Sequence, residues 1–196
     1  PQVAMDDDNQ AIITWWQHSG TNFKIYKSEY RSSLWTHPSG LSDYISPGNQ
    51  DAVTPQVAMD SGGNAMIVWH QSDGTYSRVY KSEYRGGAWT HPLDLSDNIS
   101  PTGQNAFSPQ AAMNNLSNAV IVWQQSDGAN KQIYKSEYRS DAWTHPSGLS
   151  DHISPAGQDG DYPQAAMSGN DAAVIVWQQY DGEAASVLQI FKSEYR

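Results

Sequence analysis

The chain is one sequence unit written four times. The segment PQVAM or PQAAM returns every 54 residues, beginning at Pro1, Pro55, Pro109 and Pro163. The pentapeptide KSEYR also occurs four times without a substitution, and its last copy, at Lys192, comes three residues late because of extra residues around EAASVL. A fixed period of this length indicates a supersecondary unit that buries its apolar face against neighbouring copies of itself.

Each unit predicts four short β-strands. The run AVIVW at 119–123 is β-branched and bounded by turn signals, which is typical of a strand buried on both faces. Polar links such as DSGGN and SDG are typical of the turns that close hairpins. In the third strand, alternation puts Lys27, Glu29 and Arg31 on one face and the tyrosines on the other. The fourth strand, around AWTHP, holds a proline that only an edge strand tolerates.

These units predict an all-β fold, a β-propeller built from four 54-residue repeats that form four-stranded antiparallel blades. The period lies near the roughly 40–50 residues of known blades. We predict a single propeller domain over 1–196, with repeats 1–54, 55–108, 109–162 and 163–196. Either these four blades close a small ring, or they are part of a larger array or of a ring made by several chains.

The last repeat ends without an AWTHP segment, so its blade is predicted to lack the outer strand. An uncovered strand edge pairs readily with another chain. We therefore expect self-association or partner contact at this edge.

Four tryptophans occupy the same place in the apolar second strand and are predicted to be core residues. They are Trp15, Trp69, Trp123 and Trp177. The tryptophans of AWTHP lie in the weaker outer strand, where they either cap the blade or stack on a ligand.

Charge and composition exclude several functions. With 21 acidic and 11 basic residues the net charge is −10, which leaves no basic surface for the phosphates of nucleic acid. No apolar run approaches the roughly 18 residues of a membrane-spanning helix, so membrane insertion is not expected. Cysteine is absent, which removes thiolate metal sites and cysteine nucleophiles.

No cofactor and no metal site are predicted. Histidine recurs once per repeat, at His37, His91 and His145. Equivalent positions in a propeller are spread around a ring, too far apart to share one ion. Capping or hydrogen bonding in turns is the expected role of these side chains.

The arrangement GNAMIVWHQSDG…RVYKSEYRGGAW resembles the blades of bacterial secreted β-propeller repeat proteins, and more loosely the plan of fucose-binding lectin propellers. Those lectins hold sugar between adjacent blades with an arginine, a glutamate and an aromatic ring. The resemblance implies ligand-binding residues at Glu29, Arg31, Trp35, Glu83, Arg85, Trp89, Glu137, Arg139 and Trp143. The alternative is that these charges pair with neighbouring strands while tyrosine packs between blades.

The first functional hypothesis is a non-enzymatic binding module, extracellular or on the cell surface, that recognises a glycan or a protein through equivalent sites. Several weak sites of this kind gain apparent affinity through multivalency. The alternative is a structural or assembly subunit, or a spacer, of a bacterial surface protein or filament. A glycoside hydrolase is the third hypothesis, because a fold does not determine function.

Catalysis needs an asymmetric set of groups, and a fourfold repeat works against one, so no catalytic residues are predicted. The side chains that break the repeat form no recognisable catalytic set in the sequence. They are Trp16, His18, His70, Asp94, His152, Asp161 and Tyr180. We assign His70 and His152 to exposed turns.

Overall fold

The computed structural model describes residues 1–183 and 187–195, and its regular elements in these ranges are β-strands arranged in four antiparallel sheets. The first sheet contains β1 (Gln2–Met5), β2 (Ala11–His18), β3 (Phe23–Arg31) and β4 (Leu34–Thr36). The second contains β5 (Ala52–Met59), β6 (Ala65–Ser72), β7 (Ser77–Arg85) and β8 (Ala88–Thr90). The third contains β9 (Ala106–Met113), β10 (Ala119–Ser126), β11 (Lys131–Arg139) and β12 (Ala142–Thr144). The fourth contains β13 (Gly160–Met167), β14 (Ala173–Tyr180) and β15 (Leu188–Tyr195).

Within each sheet the strands follow chain order, with the inner strand first. This order confirms the predicted β-propeller, with four-stranded blades and a last blade that lacks its outer strand. The extra residues predicted around EAASVL include 184–186, which lie outside the described residues. In the SDG turn, Gly128 has a φ of 108°, a left-handed backbone that glycine adopts at little cost. Nothing helical in the described part of the chain has the length and apolar character needed to cross a bilayer.

The hydrophobic core lies between blades rather than within one. Ile12 and Ile25 of the first blade pack with Ile67 and Trp69 of the second, and two further clusters repeat this arrangement at the next two junctions. Each sheet therefore has one apolar face for the preceding blade and another for the following blade.

The position of a blade in the array decides how deeply its second-strand tryptophan is buried. Trp69, Trp123 and Trp177 are buried as predicted, whereas Trp15 is only half-buried. Among the described residues, no blade packs on that side of the first blade to cover the ring.

The linkers fasten each blade to the next. Ile45 donates its backbone N–H to the carbonyl of Ile25 at 2.9 Å, which aligns the first linker with β3. Gln71 of the second blade donates to the carbonyl of Pro47 in that linker at 2.6 Å. The same glutamine contact recurs at Gln125 and Gln179. In the described residues, the strands of each blade pack on the inner strand of the next blade, and no comparable packing joins the first blade to the fourth. The four blades therefore form an open arc.

Candidate functional site

The invariant pentapeptide lies at the junction between blades. In the first junction, Lys27 and Arg31 both bind the carboxylate of Glu29, the arginine Nε at 3.0 Å. Trp89 of the second blade donates its indole N–H to Glu29 Oε1 at 2.7 Å. The guanidinium of Arg31 lies 3.8 Å from the ring centre of Tyr84. One strand face thus presents charge to two aromatic rings of the next blade.

The second junction has the same contacts as the first. Trp143 donates to Glu83 at 3.0 Å, and Arg85 lies 3.8 Å from the ring centre of Tyr138. In the third junction Glu137 binds Lys135 at 3.0 Å, and both Lys135 and Arg139 lie over Tyr195. The structure therefore groups each predicted glutamate and arginine with an aromatic residue of the following blade.

The predicted grouping with the tryptophan of the same repeat is not what the structure shows. Trp35 lies on the tyrosine face of its own sheet, 5.4 Å from Tyr30 and stacked on His37 at 5.6 Å between ring centres. Sequence proximity was misleading here. Trp35 pairs across the strands with Tyr30 and shares its face, and alternation puts the adjacent Glu29 on the opposite face.

The local environment holds these glutamates ionised. Burial alone would raise the pKa of Glu83, but the charge of Lys81 and hydrogen bonds from Lys81, Arg85 and Trp143 outweigh it, so the pKa lies below its ordinary value. These contacts favour the packing interpretation of KSEYR. The buried Nη2 atom of Arg85 has no hydrogen-bond partner among the described residues, and the ligand-binding role of the nine residues stays a prediction.

The recurring histidines have hydrogen-bond partners within their own blades. His37, His91 and His145 contact the serine of KSEYR through Nδ1 at 2.8–2.9 Å, and each stacks on the tryptophan two residues before it. Among the described residues, no three histidine, aspartate or glutamate side chains gather in a group that could hold a metal ion.

A cavity of about 230 Å³ lies where the inner strands of the last three blades meet. Its lining is uncharged and consists of Thr54, Gln56, Ser108, Pro109, Gln110, Tyr162, Pro163 and Gln164. Because three inner strands contribute equivalent residues, this axial cavity lies on the propeller axis. Its amide and hydroxyl groups can both donate and accept hydrogen bonds.

The backbone is irregular where each inner strand enters this cavity. The pairing register shifts between Val53 and Gln56, and the same shift occurs in the next two blades. Thr54, Ser108 and Tyr162 have φ angles of 51°, 54° and 53°. The following proline cannot donate to the ladder, and a bulge accommodates it. A left-handed backbone is costly for residues other than glycine, and it occurs both in tight turns and at functional sites.

The repeats also differ at this end of the axis. The residue before the proline is Thr54, Ser108 or Tyr162, and the residue before that is Val53, Phe107 or Asp161. The facing position on the second strand changes from Trp16 to His70, Gln124 and Gln178. Sequence reasoning missed this site, although the signal was available in the places where the repeats diverge.

Contacts among the divergent side chains are specific to each blade. Thr54 Oγ1 lies 2.8 Å from His70 Nδ1, and the His70 ring meets Phe107 edge-on at 5.3 Å. The assignment of His70 to an exposed turn is wrong, because it belongs to β6. In the third and fourth blades, Gln124 accepts from the backbone N–H of Tyr162 at 2.9 Å. Lys131 binds Asp161 at 2.6 Å.

Acid should destabilise the fold through His70. Burial lowers its pKa from 6.5 to about 4, so between these values the unfolded chain binds a proton that the folded chain does not. Stability should therefore fall as the pH drops from 6.5 towards 4, and His70→Gln should flatten that part of the profile. Urea unfolding at several pH values measures this effect. The control is His152→Gln, which lies in a linker. If this variant flattened the pH dependence of stability equally, the effect could not be attributed to His70.

No family model matches the chain, and no curated protein matches it in sequence. Solved structures do match its fold. The GH93 α-L-arabinofuranosidase of Fusarium graminearum aligns with 98% of the chain at 15% identity and a TM-score of 0.55. The α-L-arabinanase of Penicillium chrysogenum aligns with 99% at 11% identity and a TM-score of 0.59. A PL25 ulvan lyase aligns with 98% at 14% identity and a TM-score of 0.60.

The chain spans 61% of the length of the arabinofuranosidase and of the arabinanase, and 52% of the ulvan lyase. At these identities the likeness shows the propeller fold alone. The lectin-type resemblance finds no support among these structures. The expectation of a non-enzymatic binding module is contradicted, because the matching propellers are glycan-cleaving enzymes.

Proposed function

We propose that the chain forms part of a propeller enzyme that cleaves a polysaccharide, with the sugar chain bound at the axial cavity. The observation that carries the proposal is the coincidence of three features at one end of the axis. An uncharged hydrogen-bonding cavity, a strained backbone and side chains that differ from repeat to repeat all occur there. By contrast, the strand residues that pack between blades, such as KSEYR, are the same in every repeat.

The chemistry of the cavity favours a neutral substrate. Gln56, Gln110 and Gln164 supply amides, and Thr54 and Tyr162 supply hydroxyl groups, which suit the hydroxyl groups of a sugar. The net charge of −10 disfavours a polyanionic polysaccharide. Arabinan is therefore a better first substrate than ulvan, and two of the matching propellers are named for arabinose-containing substrates.

Two titratable side chains among the divergent residues are candidates for acid–base work. His70 is neutral at physiological pH, since burial lowers its pKa to about 4, and its Nδ1 is bonded to Thr54. Asp161 is adjacent to Tyr162 and is held by Lys131. Their environments differ, as a reaction that uses a separate acid and base requires. A polysaccharide substrate also implies that the enzyme works outside the cell.

The test is release of reducing ends from arabinan, with ulvan as the charged comparison. We expect arabinan to be cleaved and Asp161→Asn or His70→Gln to lower kcat at least tenfold. Gln110→Ala should instead raise KM, because it removes a binding contact. Asp43→Asn, an exposed carboxylate in the first linker, is the control. Retention of the chain on arabinan without cleavage, or equal loss in the control, would contradict the proposal.

A further inference from the structure

The last blade exposes a face that is covered in every other blade. Ile190 is 75% exposed, whereas Ile25 and Ile133 at the same place in earlier repeats are fully buried. The side chains of Lys192 and Glu194 are 64% and 45% exposed, against 18% and 12% for Lys27 and Glu29. Nothing in the described residues takes the place of a following blade.

The first blade exposes the opposite face. Val3 and Met5 are 64% and 61% exposed, whereas Val57 and Met59 pack against the core at the first junction. Trp35 is 40% exposed and Tyr30 lies beside it, while the equivalent Trp89 is partly buried at the same core. The chain thus carries two unpartnered sheet faces, one at each end of the arc.

The three internal junctions show what covers such faces. At the first, the Lys27 ammonium lies 4.7 Å from the Trp89 ring centre, and the Glu29 carboxylate accepts from the same indole. The last blade offers the same lysine and glutamate, and the first blade offers the same tryptophan and tyrosine. The two end faces are therefore complementary to each other in charge, in aromatic partners and in apolar contact.

We propose that two copies of the chain associate head to tail, the last blade of each packing on the first blade of the other, and close a ring of eight blades. A contact between two different faces either closes a ring or extends into a fibre. Two arcs of four blades reach the upper end of the roughly four to eight blades that propellers contain. The association does not depend on the proposed enzymatic activity, although it would enclose the axial cavity.

Sedimentation equilibrium of the full chain tests the inference. We expect a species of twice the 21.7 kDa chain mass that dissociates on dilution. Glu194→Lys should weaken it more than tenfold, because lysine in that place repels Lys192 and cannot accept from the Trp35 indole. Glu194 is exposed in the single chain, so this variant should fold normally. Trp35→Ala breaks the other face of the same interface and should have the same effect.

Mixing the two variants separates head-to-tail association from other modes. Each variant keeps one intact face, so an equimolar mixture of Glu194→Lys and Trp35→Ala should form a one-to-one complex through a single native junction. Neither variant alone should do so at that concentration. A monomer at every concentration, a ladder of larger species, a dimer that neither variant weakens, or a mixture that stays monomeric would each overturn the proposal.

Discussion

Trp123→Ala should lower the free energy of unfolding by about 3–5 kcal/mol, the usual cost of removing a large buried aromatic side chain. Trp123 is fully buried between the second and third blades and stacks on Tyr134 at 6.0 Å between ring centres. Its indole N–H binds Gln125, which in turn donates to the carbonyl of Pro101 in the linker. The substitution therefore leaves a void and frees a glutamine that ties two blades together.

Trp15→Ala is the matched control, because the repeat puts Trp15 at the same place in the first blade. It stacks on Tyr26 in the same way and bonds to Gln17, yet it is only half-buried and Gln17 is exposed. We expect it to lose clearly less stability. Urea unfolding followed by far-UV circular dichroism measures the stability of both variants. Equal losses of unfolding free energy would show that burial between blades does not determine the cost of removing this tryptophan.

Glu83→Ala should lower the free energy of unfolding by about 2 kcal/mol, because it leaves partly buried partners without their acceptor. Lys81 and Arg85 bind this carboxylate at 2.5 and 3.1 Å, and Trp143 reaches it from the next blade. Only 13% of the Glu83 side chain is exposed, so water compensates little for the loss.

The matched control is Glu194→Ala, the same pentapeptide position in the last blade. There the side chain is 45% exposed and no following blade is present among the described residues, so we expect almost no change in a dilute, monomeric sample. The pH dependence gives a second check. Because the pKa of Glu83 is lowered in the fold, its contribution is present above the ordinary glutamate pKa and is lost as the pH falls below it. The difference in free energy of unfolding between Glu83→Ala and the wild type should therefore become smaller in acid. A difference that stays constant with pH would contradict this account.

Much of the fold could be predicted from the repeat. A period of 54 residues and the alternation within KSEYR determine strand number, strand order and the face on which each charge lies, since these depend on local geometry. The missing outer strand of the last blade followed in the same way. The repeat also indicated the burial of Trp69, Trp123 and Trp177, because an apolar strand between two sheets must be covered.

The candidate site could not be predicted in this way. Invariance drew attention to KSEYR, but identical residues are what a repeated blade junction requires, and the structure brings Glu29 to Trp89 of the next blade rather than to Trp35. The axial cavity is made by residues 54 positions apart, such as Gln56 and Gln110, and no local pattern shows that they meet.

The sequence by itself determined the blade, because hydrogen bonding between neighbouring strands and side-chain alternation are local and repeat with the period. The tertiary structure decided how the blades combine: which aromatic ring receives each charge, where the divergent residues gather, and which faces stay uncovered. These properties depend on the rotation from one blade to the next. That rotation is set by the packing of whole sheets against each other and is not encoded in any single repeat.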